Sequence, residues 1–237
     1  MVQWNFEFKE VAVKLVYYGP ALSGKTTNLQ ALHGMFSPDH RGRLMSLETQ
    51  NDRTLFFDLL PLQYKTPSGL SVKVKLYTVP GQVIHNSTRK AVLAGADAVS
   101  FVADSQKSQA LSNSISFKNL KENLKANGID FDAIPIVIQF NKRDLDQIKS
   151  LEEIRHDWGQ SRFPTLAAVA SQGKGVFETF ECLMRMAFDS LNQKYEFDRK
   201  YGFQVQDLVS ALTTDKIRSL LSLKSALVST GGFTLPR

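Results

Sequence analysis

The run Gly19-Pro20-Ala21-Leu22-Ser23-Gly24-Lys25-Thr26 fits the spacing G-x-x-x-x-G-K-[ST], a combination of bare backbone, ammonium and hydroxyl suited to a polyphosphate. Gly19 and Gly24 let the main chain approach an anion, and Ala21, Leu22 and Ser23 contribute N–H groups between them. Lys25 reaches terminal phosphates, and the Thr26 hydroxyl, followed by Thr27, is offered to Mg²⁺. A helix opening at Gly24 adds the partial positive charge of its N-terminus. A second polar run, Asn141-Lys142-Arg143-Asp144, follows an apolar strand, and residues at the C-terminal ends of such strands face the ligand. Asp144 can accept from N1–H and the 2-amino group of guanine. Adenine has no donor at either atom, so Asp144 argues for GTP over ATP.

Both runs need a scaffold that delivers strand ends to one edge. An apolar stretch of strand length covers 11–18 and stops at Gly19-Pro20. Over 24–36, Leu29, Leu32 and Phe36 fall at helical spacing, and Ser37-Pro38-Asp39 ends the helix. Further strands are expected at 55–62, 72–79, 98–103, 134–140 and 165–170, with helices at 89–93, 111–126, 151–158 and 176–191. Apolar strands alternating with helices make crossover units, so the fold class is α/β, a doubly wound and mostly parallel sheet. The stretches 55–62 and 72–79 leave no room for a helix between them and should pair as a hairpin, giving one antiparallel edge.

The chain has 237 residues and net charge +6, with 43% hydrophobic residues, enough for a full core. Its pI of about 9.3 invites a nucleic-acid reading. The excess is spread out, however, with +3 from 1–192 and +3 from 193–237 and no basic run carrying interleaved aromatics. No nucleic-acid partner is expected. The single cysteine, Cys182, excludes an intrachain disulfide and fits a reducing compartment. No secretory signal, lipidation box or long apolar window is present, so no integral membrane segment is expected. His33, His40, His85 and His156 lack ligand spacing for zinc. After Leu191 the character changes to mixed charge and aromatics, then to helical stripes at Val205, Leu208, Val209 and Leu212 and at Ile217, Leu220 and Leu221. The expected division is a nucleotide-binding domain at 1–192 and a C-terminal helical extension at 193–237, which packs on the domain or binds a protein.

Four segments carry a family resemblance: Tyr17-Tyr18-Gly19-Pro20, Asp52-Arg53-Thr54-Leu55-Phe56-Phe57-Asp58, Tyr77-Thr78-Val79-Pro80-Gly81-Gln82 and Gly173-Lys174-Gly175-Val176-Phe177-Glu178-Thr179. With them, residues 8–192 resemble the Ras-like small GTPases, and within these the bacterial MglA-type branch that controls cell polarity and gliding or twitching motility. The resemblance implies a P-loop small GTPase fold, GTP/GDP and Mg²⁺ as ligands, and hydrolysis that is slow without an activating partner. It implies that Thr54 joins Thr26 at the metal and meets the γ-phosphate only in the GTP state. Gly81 would give its N–H to that phosphate, and Gln82 would orient the attacking water. Arg53 resembles an internal arginine finger, a device worth about 10³ to 10⁵ in rate where it is used; with Lys25, Thr54 and Gln82 it forms the expected catalytic set. On the base side, Ala170 N–H would face guanine O6 with Ser171 beside it, Lys142 would lie along the base, and Asn141 would tie the base loop to the phosphate loop. The implied partners are a Roadblock-type, MglB-like GTPase-activating protein and polarity or motility effectors, in the cytoplasm with recruitment to the cell pole.

Two residues depart from the small-GTPase pattern. Thr78 stands where an aspartate usually helps hold the Mg²⁺ water shell, and neither Asp58 nor Asp104 reads as an obvious substitute. Ala21 replaces a frequent glycine, and its methyl group would crowd Gln82 or the arginine. A nucleotide-gated scaffold with little turnover therefore stands as an alternative, as does an ATP-dependent P-loop kinase.

Overall fold

The computed structural model describes residues 3–5, 9–47, 57–158 and 161–214. The strands are β1 (Gln3–Asn5), β2 (Glu10–Tyr18), β3 (Met45–Leu47), β4 (Phe57–Lys65), β5 (Ser71–Thr78), β6 (Ala98–Asp104), β7 (Ile136–Asn141) and β8 (Thr165–Ala167). The helices are α1 (Lys25–Met35), α2 (Asn86–Leu93), α3 (Ala110–Ala126), α4 (Leu151–Trp158), α5 (Val176–Tyr195), α6 (Phe197–Tyr201) and α7 (Val205–Leu212). All strands join one sheet in the order β3-β4-β5-β2-β6-β7-β8, with β1 added antiparallel to β2.

Pairing from β5 through β8 is parallel, and β4 closes the other side antiparallel to β5. The doubly wound sheet with one antiparallel edge is thus present. That edge also carries β3, which pairs antiparallel with β4 and has too few residues to show a pattern in sequence. The β4–β5 hairpin turns at 66–69, where Gly69 takes a φ of 85° and the Thr66 hydroxyl accepts from Leu70 N–H.

Sequence alternation explains the layering. On β2, Val11, Val13, Leu15 and Tyr17 join one core with Leu29 and Leu32 of α1 and Phe180 and Leu183 of α5. Val16 and Tyr18 face the opposite core with Val92 and Leu93 of α2 and Leu120 and Leu124 of α3. β6 and β7 are buried at every position, as strands covered on both faces must be.

Helix α5 runs on to Tyr195, past the expected division at 192/193. Phe197, Phe203, Leu208, Val209 and Leu212 are buried in the same core as α1 and α5, and Phe203 packs on Phe188 at 5.2 Å and on Tyr64 of β4 at 6.4 Å. Ser37 N–H donates to Leu212 O at 2.8 Å, which binds the end of α7 to the end of α1. The second stripe expected in the tail, Ile217 to Leu221, lies outside the described residues. No helix among the described residues is long and apolar enough to cross a membrane.

Candidate functional site: a phosphate loop braced to a base loop

The phosphate loop joins β2 to α1. Gly24 is the N-cap at a φ of 98°, and no side chain caps α1, so its first-turn amides remain for an anion. Two glycines are required here by space as well as conformation. A Cβ on Gly19 would lie 2.2 Å from Val102 O, and one on Gly24 would lie 2.2 Å from Asn141 Nδ2. The closeness at Gly24 has a purpose: Asn141 Nδ2 donates to Ser23 O at 2.8 Å, while Asn141 Oδ1 accepts from Ala170 N–H at 2.9 Å. One buried asparagine at the end of β7 therefore ties the phosphate loop to the turn after β8.

That second bond changes the reading of Ala170. Its N–H, expected to face a guanine oxygen, is here committed to Asn141, because the turn at Ala170–Gln172 folds back against the end of β7. Ala170 acts as a strut of the base loop in this structure. Ser171 is exposed beside it, and Asp144 is exposed in the turn after β7. Arg143 N–H donates to Ala168 O at 3.1 Å, so the turns after β7 and β8 are joined. Lys142 sits at a φ of 65° and its ammonium meets Asp104 Oδ2 at 2.6 Å. Asp104 is thereby on the base side of the site, away from Thr26.

A cavity of about 620 Å³ opens over the phosphate loop, lined by Ala21, Leu22, Gly24, Lys25, Thr26 and Thr27 and, opposite them, by Asp58 and the 78–82 segment with His85. Gln82 is exposed at its rim. Gly81 packs so closely on the loop that a Cβ there would fall 2.3 Å from Ala21 Cα and 3.1 Å from Ala21 Cβ. The close neighbour of Ala21 is thus Gly81, the residue before Gln82, and the space between them admits no side chain at 81. Lys25 Nζ donates to Pro20 O at 2.7 Å and to Gly19 O at 3.3 Å. Burial pushes its pKa down to about 7, with the positive charge of Arg89 acting in the same sense and Asp58 opposing it. A buried ammonium resting on carbonyls, with its charged form disfavoured, is one that a phosphate would restore.

Two residues of this site were not among the site residues expected from the sequence. Asp58 is 5% exposed; its Oδ2 accepts from the hydroxyls of Thr26 at 2.7 Å and Thr78 at 2.9 Å, and its Oδ1 from Ser46 at 2.7 Å. Asp58, which does not read from the sequence as an obvious substitute for an aspartate at 78, lies beside that position: antiparallel pairing puts it next to Thr78, whose hydroxyl also accepts from Asp58 N–H at 2.8 Å. The signal was its phase, since Asp58 shares the inward register of Leu60 and Leu62 on β4. Arg89 is fully buried in α2, with its guanidinium 4.3 Å from the Tyr18 ring. It donates to Pro80 O at 3.2 Å, Gly81 O at 2.8 Å, Ser116 Oγ at 2.8 Å and Tyr18 OH at 3.0 Å. Among the described residues no carboxylate pairs with it, so this cation holds the 80–81 backbone from behind. Arg53 and Thr54, expected at the catalytic centre and the metal, lie outside the described residues.

The residues present fit the ligands this motif implies. Thr26, Thr78 and Asp58 present hard oxygen atoms of the kind Mg²⁺ takes, and the loop presents free amides and an ammonium for phosphate. A mostly parallel sheet with one antiparallel edge, a phosphate loop opening α1 and a base loop after β7 define a P-loop protein of the small GTPase fold. No protein-family model matches the sequence. Over 189 residues, 80% of this chain and 97% of the relative, it is 44% identical to the mutual gliding-motility protein MglA of Myxococcus xanthus (strain DK1622). The chain belongs to the MglA family of small GTPases.

Proposed function

We propose that the chain is a GTP-binding and GTP-hydrolysing molecular switch that regulates bacterial cell polarity and motility through GTP-dependent effector binding. The observation that carries this reading is Asn141, whose bonds to Ser23 O and Ala170 N–H hold the phosphate and base loops at one site. Around that brace, the α1 amides and Lys25 bind the phosphates, and Asp144 accepts from the guanine N1–H and 2-amino group. Ser171 and Lys142 border the base. Thr26 and Thr54 hold Mg²⁺, which when bound offsets phosphate charge. Gln82 orients the attacking water, and Arg53 approaches the transferring phosphoryl group as the internal finger. Loss of the γ-phosphate releases the segments carrying Thr54 and Gly81, which converts a local charge event into a changed surface for partners. A Roadblock-type, MglB-like activator resets the switch in the cytoplasm, with recruitment to the pole. The switch domain is 1–192, and 193–237 is its extension.

Competition of GDP against ADP for the purified chain tests the reading. A preference for GDP of at least about 100-fold is expected, because an adenine leaves Asp144 unpaired; equal affinities overturn it. The contact between Ala21 and Gly81 favours a second reading in which the chain binds GTP and barely turns it over. Single-turnover hydrolysis with and without the activator separates the two.

A further inference from the structure

We propose that Asp58 supplies, from β4, the anionic oxygen of the Mg²⁺ site that Thr78 on β5 does not provide. The inference rests on the GTP–Mg²⁺ reading and deepens it by assigning a metal-site residue. Asp58 is a buried carboxylate that borders the phosphate cavity, and among the described residues it forms no ion pair with lysine, arginine or histidine. All three of its described side-chain partners are hydroxyls, from Thr26, Ser46 and Thr78. A carboxylate taken out of water with its cation, Lys25, beyond ion-pair distance is only partly compensated, and a divalent cation beside Thr26 would offset the remaining cost. The geometry is specific. Thr26 Oγ1, the hydroxyl that the phosphate-loop motif offers to Mg²⁺, is 2.7 Å from Asp58 Oδ2, so an ion or an ion-bound water at Thr26 also meets Asp58.

Position 78 then has a different task. Its hydroxyl donates to Asp58 Oδ2 and accepts from Asp58 N–H, and so it fixes the carboxylate in the cavity wall. A second carboxylate at 78 would face Asp58 at hydrogen-bond distance and repel it. The anionic oxygen has in effect moved across one antiparallel pair, from β5 to β4. That places it on the strand that continues directly from the segment carrying Arg53 and Thr54.

The test uses the full chain loaded with a fluorescent GDP, with Mg²⁺ titrated against nucleotide dissociation and Mn²⁺ binding followed by electron paramagnetic resonance. Asp58→Asn keeps one acceptor oxygen, enough for the Thr26 and Thr78 hydroxyls, turns its amide toward Ser46, whose hydroxyl can accept, and removes the charge. It is expected to lower divalent-metal affinity about 10- to 100-fold while leaving GDP retention in EDTA within about threefold of wild type. Adding Thr78→Asp to Asp58→Asn is expected to restore at least about tenfold of the lost affinity, since it returns one carboxylate to the site. Unchanged metal affinity in Asp58→Asn overturns the proposal, and so does tighter metal binding, which would make Asp58 an occupant that the metal must displace. If Asp58→Asn fails to fold, the double variant alone decides: a folded double variant whose Mn²⁺ affinity stays more than about tenfold below that of wild type refutes the exchange. A wild-type chain that retains no guanine nucleotide with or without Mg²⁺ removes the underlying reading and this proposal together, an outcome distinct from the others.

Discussion

Replacing Arg89 with methionine keeps most of its volume and removes every donor. The acceptors it leaves are unequal. Tyr18 OH still donates to Asn119 Oδ1 and still accepts from Asn123 Nδ2, so it stays satisfied. Pro80 O, Gly81 O and Ser116 Oγ each lose their guanidinium donor. At about 1–3 kcal/mol for each buried acceptor left unpaired, less the relief of no longer burying a cation, the net loss is about 2–3 kcal/mol. For a chain of this size that lowers Tm by roughly 5–10 °C. Two further effects separate a specific clamp from general loss of packing. The 80–81 backbone is released, so amide exchange at 82–85 accelerates relative to α1. The Lys25 pKa rises, because Arg89 is one of the charges holding it down. Arg89→Lys, which keeps the charge and loses the fork, falls between. A Tm within about 2 °C of wild type, together with unchanged exchange at 82–85, would refute the argument that Arg89 holds this segment from behind.

Nucleotide binding should take up a proton: with Lys25 near 7 in the ligand-free chain, about 0.9 proton is bound at pH 8 if phosphate restores the ordinary lysine value, read by calorimetry in buffers of different ionisation enthalpy. The same shift has a stability sign. The folded value lies below the 10.5 of an ordinary lysine, so the unfolded chain holds the extra proton in between, and this group's contribution to ligand-free stability rises from pH 7 towards 10.5; a fall across that window would count against it. Gly24→Ala forces a Cβ onto Asn141 Nδ2 at a φ of 98° and should weaken GDP binding by at least about 30-fold, measured by fluorescent-nucleotide titration. Phe203→Ala should cost about 3–5 kcal/mol in chemical denaturation if the extension is part of the core; an unchanged midpoint would make it an appendage.

The legible parts of this protein are those in which a local pattern and a global role coincide. The phosphate loop is readable because its motif positions have a steric or polar reason to be what they are, and Gly24 shows the reason on both sides, in φ and in the Asn141 contact. The parallel strands are readable because burial on two faces leaves unbroken apolar runs, as in β6 and β7. β3 is not: its residues pair with β4 alone, and a three-residue edge has no periodicity to detect.

The parts of the candidate site that stayed hidden are long-range pairings between polar residues. Asp58 and Thr78 are far apart in sequence, and only the register of β4 against β5 makes them neighbours; a one-residue slip would turn Asp58 away from Thr26. Arg89 reads as part of a polar helix, yet it is in phase with Val92 and Leu93, both buried, and the network it enters joins β2, α2 and α3. Both residues share one physical signature, a charge on an inward-facing position. Such a charge is tolerated only where something else on that face compensates it. For Arg89 the compensation is four acceptors and an aromatic ring. For Asp58 it is three hydroxyls and the field of Lys25 with no ion pair among the described residues, an imbalance to which a metal has the most to contribute.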